Sequence, residues 1–154
     1  MNQPDIPVDA LYQAAKRPEV VAAMRAFYGD ADRRIAAHSP TCWNRGACCR
    51  LGEYGHRLYV TALEVAYYLA HRRQEQVPTV TGESCPHAHD GQCHARERRP
   101  LGCRIFYCDP AAQHWQGPLT EELLRRLRRL HDELNVPCFY ADWLVVLRAL
   151  QQRQ

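Results

Sequence analysis

Seven of the eight cysteines in this 154-residue chain fall between positions 42 and 108: Cys42, Cys48, Cys49, Cys85, Cys93, Cys103 and Cys108. The later part of that stretch also carries Pro78, Gly82, Pro86, Gly91, Pro100 and Gly102. Such a density of breakers argues against long helices or strands. Metal held by the thiols can supply the order that regular elements do not, with disulfides or free buried thiols as the alternatives. This sets the expected architecture, with regular elements at the ends and an irregular, tied centre.

The redox setting separates the two kinds of cross-link. The N-terminus, Met1-Asn2-Gln3-Pro4-Asp5, has neither a basic leader nor an apolar run of the secretory type. No apolar stretch reaches the roughly 20 residues that a membrane-spanning helix needs. A cytoplasmic location is expected, with no membrane contact. There the glutathione pool keeps thiols reduced, so clustered cysteines point to metal ligation before disulfides.

The ends read as helical, over about 10–38 and 120–152, within one domain spanning 1–154. Pro18 suits a first helical position, and Val20, Met24, Phe27, Tyr28, Ala31 and Ile35 follow at helical spacing. Gly29-Asp30 is a place for a bend, and Pro40 closes the segment. His56–Val60 has the pattern of a short strand. Thr61-Ala62-Leu63-Glu64 has the form of a capping box and predicts a helix to about Gln74. Arg104–Tyr107 predicts a second short strand. Thr120 is expected to cap a helix with a Leu123, Leu127, Leu130, Leu134 seam, ended by Asn135 and Pro137. A last helix is expected from about Tyr140. The fold class expected is mainly α, with at most a short two-stranded β element.

The cysteines fall into three groups. Cys42-Trp43-Asn44-Arg45-Gly46-Ala47-Cys48-Cys49 is the first. Cys85-Pro86 with Gly91-Gln92-Cys93-His94 is the second, and Cys103-Arg104-Ile105-Phe106-Tyr107-Cys108 the third. Zinc takes four ligands at tetrahedral angles, and iron–sulfur clusters are also held by cysteine thiolates, usually about four. Seven thiols exceed one such site. Adjacent Cys48 and Cys49 point in different directions in most backbone conformations, so they suit two metals or a polynuclear cluster. The familiar C-x2-C knuckle is absent, and spacing alone leaves zinc and iron–sulfur both open.

These residues resemble the CxxCxxCC family of YkgJ-like cysteine cluster proteins, a zinc- or iron-chelating domain. The signature C-x-x-C-G-x-C-C is matched by Cys42, Gly46 and Cys48-Cys49, with Arg45 in place of the second cysteine. The family's further Cys-Pro, Gly-x-Cys and Arg-Pro-x-x-Cys-Arg elements are matched by Cys85-Pro86, Gly91-Gln92-Cys93 and Arg99-Pro100-Leu101-Gly102-Cys103-Arg104. The resemblance covers residues 42–108 and implies metal binding. Cys108 is the candidate replacement for the ligand missing at Arg45.

The other chemistry-bearing residues have simpler readings. His94 is the histidine best placed to join the cysteines, being next to Cys93. His87 and His89 read as solvated loop residues, and His38, His71, His114 and His131 as surface positions. Cys138, in an apolar segment, reads as a core thiol. Trp43, Tyr54, Tyr59, Tyr67, Tyr68, Phe106 and Tyr107 are expected to fill the core and shield the metal. Arg96, Arg98, Arg99 and Arg104 crowd the thiolates, where guanidinium groups offset negative charge or bind an anionic substrate. Arg125, Arg126, Arg128 and Arg129 read as a solvated helix face.

A net charge of +3 is too small to argue for nucleic acid. No nucleophile elbow, zincin helix or phosphate loop is present. Three functions follow as expectations. The first is a metal-binding cysteine cluster holding zinc or an iron–sulfur cluster, with a protein partner possible. The second is an iron–sulfur redox enzyme, or component of one, acting on a small anionic substrate. The third is a zinc-stabilised module for nucleic-acid or protein interaction, with nucleic acid disfavoured.

Overall fold

A computed structural model of the chain describes residues 5–40, 57–72, 76–90, 92–107 and 110–153. Among them lie six α-helices and two small antiparallel sheets of two strands each. The helices are α1 (Val8–Ala15), α2 (Pro18–Ala36), α3 (Ala62–Ala70), α4 (Leu101–Ile105), α5 (Gln113–Leu134) and α6 (Trp143–Gln152). The strands are β1 (Tyr59–Thr61), β2 (Ala88–His89), β3 (Gln92–Cys93) and β4 (Tyr140–Asp142). The mainly α class expected from the sequence is what the chain adopts, with one more two-stranded element than expected. Among the described residues, no helix is long and apolar enough to cross a membrane.

α3 is the central element, packed by α1 and α2. Every residue from Ala62 to Leu69 is buried, including Glu64. α2 buries the six residues that its periodicity selects, Val20, Met24, Phe27, Tyr28, Ala31 and Ile35. Gly29 leaves the helix unbroken, because a single glycine costs only about 1 kcal/mol there. Asp30 also ties the helix to α5 through Arg126, beside a second cross-helix pair of Arg34 with Glu122.

β1 and β4 pair in the register Tyr59↔Asp142, Val60↔Ala141 and Thr61↔Tyr140. Each strand runs directly into a helix, so the pair fixes the starts of α3 and α6 side by side. The capping box at α3 forms. Glu64 Oε2 accepts the Thr61 backbone N–H at 2.8 Å and the Thr61 hydroxyl at 3.1 Å. At α6, Asp142 Oδ1 accepts the Leu144 N–H at 2.9 Å.

Several expectations are corrected. Arg104–Tyr107 is not a strand: Leu101–Ile105 is helical, with Leu101 and Ile105 buried one turn apart. Its first N–H, on Leu101, is satisfied by Glu64 Oε1 at 2.7 Å. A Cβ at Gly102 would lie 2.3 Å from Leu58 Cδ1, so glycine allows this close packing. Thr120 does not cap α5, which begins at Gln113 and contains Pro118. The Thr120 hydroxyl instead donates back to the Gln116 carbonyl at 2.7 Å. Trp115 and Leu119, buried on the core face, extend the seam N-terminally and hold that first stretch. Asn135 does end the helix, in the left-handed conformation. α3 stops at Ala70, before the expected Gln74, and the last helix starts at Trp143 because Tyr140–Asp142 joins a sheet.

His131 is a core residue, 1 % exposed, and not a surface one. Its Nε2 accepts the Leu63 N–H at 3.1 Å, and Nδ1 lies 2.7 Å from the Leu127 carbonyl, to which it donates. This arrangement requires the neutral ring. Burial holds the imidazole below its ordinary value, against the opposing pull of the Leu127 bond and Asp132. A depressed histidine means that the unfolded chain binds the extra proton first. Stability is therefore intact above the unfolded value near 6.5 and falls as pH drops below it. His131→Leu is expected to lose about 1–3 kcal/mol at pH 7.5, for the unpaired Leu63 N–H. The His131 contribution is read as the difference in urea midpoint between the native chain and this variant, and that difference is expected to narrow between pH 7.5 and pH 5.5.

Candidate metal centre

Cys42, Cys48, Cys49 and Cys108 lie outside the described residues, as do Trp43, Tyr54 and His56. Cys85, Cys93 and Cys103 are all half-buried. Among the described residues, no group of three or more His, Cys, Asp and Glu side chains is arranged to hold a metal. Cys85, Cys93 and Cys103 therefore do not form a site without further ligands.

Two of these thiols share one small hairpin. β2 and β3 pair Ala88 with Cys93, and the Ala88 N–H donates to the Cys85 carbonyl at 3.1 Å. The His94 N–H closes the hairpin onto the His87 carbonyl at 2.9 Å. A hairpin of this size has little stability of its own, and its anchor is His87. That residue is 7 % exposed rather than solvated. Its Nε2 and the Tyr68 hydroxyl of α3 share a hydrogen bond of 2.6 Å. Arg98, also buried, lays its guanidinium over the Tyr68 ring, 4.8 Å from its centre. His89 and His94 are exposed and pack edge-to-face.

Cys103 sits on α4, and buried polar groups hold α4 too. Glu64 accepts its first N–H. Arg104 is 6 % exposed and donates to Asp32 of α2 at 2.9 Å, to the Arg99 carbonyl at 2.9 Å and to the Glu97 carbonyl at 2.7 Å. Its guanidinium lies 3.8 Å from the centre of the Tyr28 ring. Arg98 and Arg104 are thus buried structural fasteners and not solvated side chains. Arg96 is exposed, and Arg99 is half-buried with Nη1 3.4 Å from the Cys103 carbonyl.

Two buried side-chain polar atoms among the described residues have no hydrogen-bond partner, Tyr28 Oη and Arg99 Nε. Arg99 donates through Nη1 to the Cys103 carbonyl, and Tyr28 lies under the Arg104 guanidinium. Burial first, and the Glu64 charge next, raise the Tyr28 hydroxyl well above its ordinary value. Buried donors without acceptors are rare in folded proteins and call for an explanation.

Cys138 is exposed and not a core thiol, because the segment after Asn135 buries Val136 instead. Tyr67 and Tyr68 are buried as expected, whereas Tyr59 and Phe106 are 42 % and 41 % exposed. Arg126 departs from the solvated-face reading by pairing with Asp30. No local pattern marks the His87–Tyr68 bond, and the capping box accounts for only one of the two Glu64 oxygens.

Two cavities adjoin the cysteines. One, of about 300 Å³, is lined by Cys93, His71, His94, Arg96, Glu97 and Arg98. The other, of about 540 Å³, has Cys103 in its wall. Comparison of the chain with protein-family models, curated proteins and solved structures finds no match. The resemblance of residues 42–108 to the CxxCxxCC family rests on its motif residues alone.

Proposed function

We propose that this protein is a metal-binding cysteine cluster protein of the CxxCxxCC type, in which thiolates from three segments hold zinc or an iron–sulfur cluster. The ligand pool is Cys42, Cys48, Cys49, Cys85, Cys93, Cys103 and Cys108. The observation that carries this reading is the order and grouping of the seven cysteines, of which Cys85, Cys93 and Cys103 are half-buried. Supporting it, the two described cysteine-bearing segments are short elements fastened to α2 and α3 by His87, Arg98, Arg104 and Glu64. Fixed outer residues of this kind orient thiolate ligands and lower the ordering needed when a metal binds.

The test is purification of the full chain without oxygen, followed by absorbance, zinc, iron and acid-labile sulfide analysis. Stoichiometric metal is expected. Brown colour with sulfide assigns an iron–sulfur cluster, and a colourless zinc protein assigns a closed zinc site. Absence of both metals, with no titratable thiol, removes the proposal and returns the cysteines to disulfides. Cys108→Ala is expected to lower the metal content per chain, and an unchanged content excludes Cys108 as a ligand.

One observation favours the second reading, an iron–sulfur enzyme component acting on a small anion. Arg96 and Arg98 share a polar cavity with Cys93, His71 and His94. Reduction or oxidation of a bound cluster by an added anion, seen as bleaching of its absorbance, is the supporting result.

A further inference from the structure

The cavity of about 540 Å³ beside Cys103 has the character of a small-molecule site. Its size lies within the usual range for such ligands, roughly 300–1,000 Å³. Leu58, Leu101, Ile105 and Leu124 contribute apolar wall. Tyr59, Phe106 and Tyr140 are the large hydrophobic side chains left exposed among the described residues, and all three line this one cavity. Tyr59 and Tyr140 are cross-strand neighbours with ring centres 5.3 Å apart. Exposed aromatics gathered at one concavity mark a binding surface more than chance exposure does.

Charge decides what the cavity prefers. The ionisable side chains of opposite sign that line it are Arg57 on one hand, Glu64 and Glu121 on the other. Arg57 is engaged by Asp142 at 3.1 Å. Glu64 has Arg104 as its nearby cation, but Arg104 also pairs with Asp32. Three donors occupy the Glu64 carboxylate. A carboxylate has about four acceptor positions, so one remains. The lining therefore holds two carboxylates against one guanidinium, which Asp142 engages. Carboxylates and aromatic rings in one cavity wall favour a cation, since the ring face and the carboxylate attract the same charge.

We infer that this cavity binds a small organic cation, an ammonium group carried on an apolar body. The body would lie against the leucines and Ile105, and the ammonium against the aromatic rim and the carboxylates. This inference does not depend on which metal, if any, the cysteines hold.

The test is binding of 2-phenylethylammonium to the full chain, as purified, followed by saturation-transfer NMR and calorimetry at millimolar ligand. 2-Phenylethanol and phenylacetate serve as the neutral and anionic counterparts of the same size. The ammonium is expected to bind at least about tenfold more tightly than phenylacetate, with the alcohol between them. Tyr140→Ala and Glu121→Gln, both at exposed positions, are each expected to weaken the ammonium about threefold or more. Circular dichroism confirms that both variants fold. Equal binding of the three compounds overturns the inference. So does ammonium binding that neither variant changes, or no binding of the ammonium at all.

Discussion

Glu64→Ala is expected to be the most damaging single substitution in the described part of the chain, with a loss of about 3–5 kcal/mol. Glu64 is 2 % exposed and joins three elements. One oxygen holds β1 and the start of α3 through Thr61, and the other holds the first N–H of α4. Removing the carboxylate strands two backbone N–H groups, at Thr61 and Leu101. It also takes a counter-charge from the buried Arg104. Each buried unsatisfied donor costs about 1–3 kcal/mol. Domains of this size have only about 5–15 kcal/mol in total, so the variant would be close to unfolding at 37 °C.

Glu64→Gln separates shape from charge. Its carbonyl can serve one of the two N–H groups, and its amide cannot accept for the other, so a loss of about 1–3 kcal/mol is expected. Burial raises the Glu64 carboxyl above its ordinary value, against the pull of the Leu101 and Thr61 bonds and of Arg104. Ionising it therefore lowers stability as pH rises from about 4.5 through the folded value, after which no further change follows. The glutamine variant lacks that decline. Urea unfolding at pH 5 and pH 8 measures both effects. A Glu64→Ala protein as stable as the native chain would show that the three hydrogen bonds are not formed in solution.

Arg104→Ala is the second large effect, also about 3–5 kcal/mol. The ion pair with Asp32 contributes little, because Asp32 is half exposed to water. The loss comes from the Arg99 and Glu97 carbonyls left without a donor, and from the gap opened over the Tyr28 ring. Arg104→Lys is expected to recover only part of this. An ammonium is a point donor and cannot span two carbonyls and a carboxylate as the planar guanidinium does. Thermal unfolding of both variants tests the order native, lysine, alanine. On the proposed metal-binding reading, metal content is expected to fall as well, since Arg104 adjoins Cys103 and holds the Glu97 and Arg99 carbonyls before it.

The parts of this fold legible in the sequence are those governed by local repetition. α2 follows from the spacing of Val20, Met24, Phe27, Tyr28, Ala31 and Ile35, which is a property of neighbours on one helix face. The start of α3 follows from Thr61 and Glu64, three residues apart. Asn135 marks a helix end because it tolerates left-handed backbone. Part of α4 has the local pattern of a strand, because the donor that starts the helix is satisfied by a residue 37 positions earlier. Thr120 has the form of a cap and so suggests a later start for α5, whereas Trp115 and Leu119 pack the preceding stretch on the core.

The candidate site divides the same way. Its cysteines, their grouping and their family resemblance can be read from the order of residues, because ligand type and spacing are covalent properties. The second Glu64 bond, the burial of His87, Arg98 and His131, the exposure of Cys138 and the cavity rimmed by Tyr59, Phe106 and Tyr140 were decided only in three dimensions. Each joins side chains from segments far apart in sequence. The solvation of a polar group depends on what packs over it, and no local pattern records that.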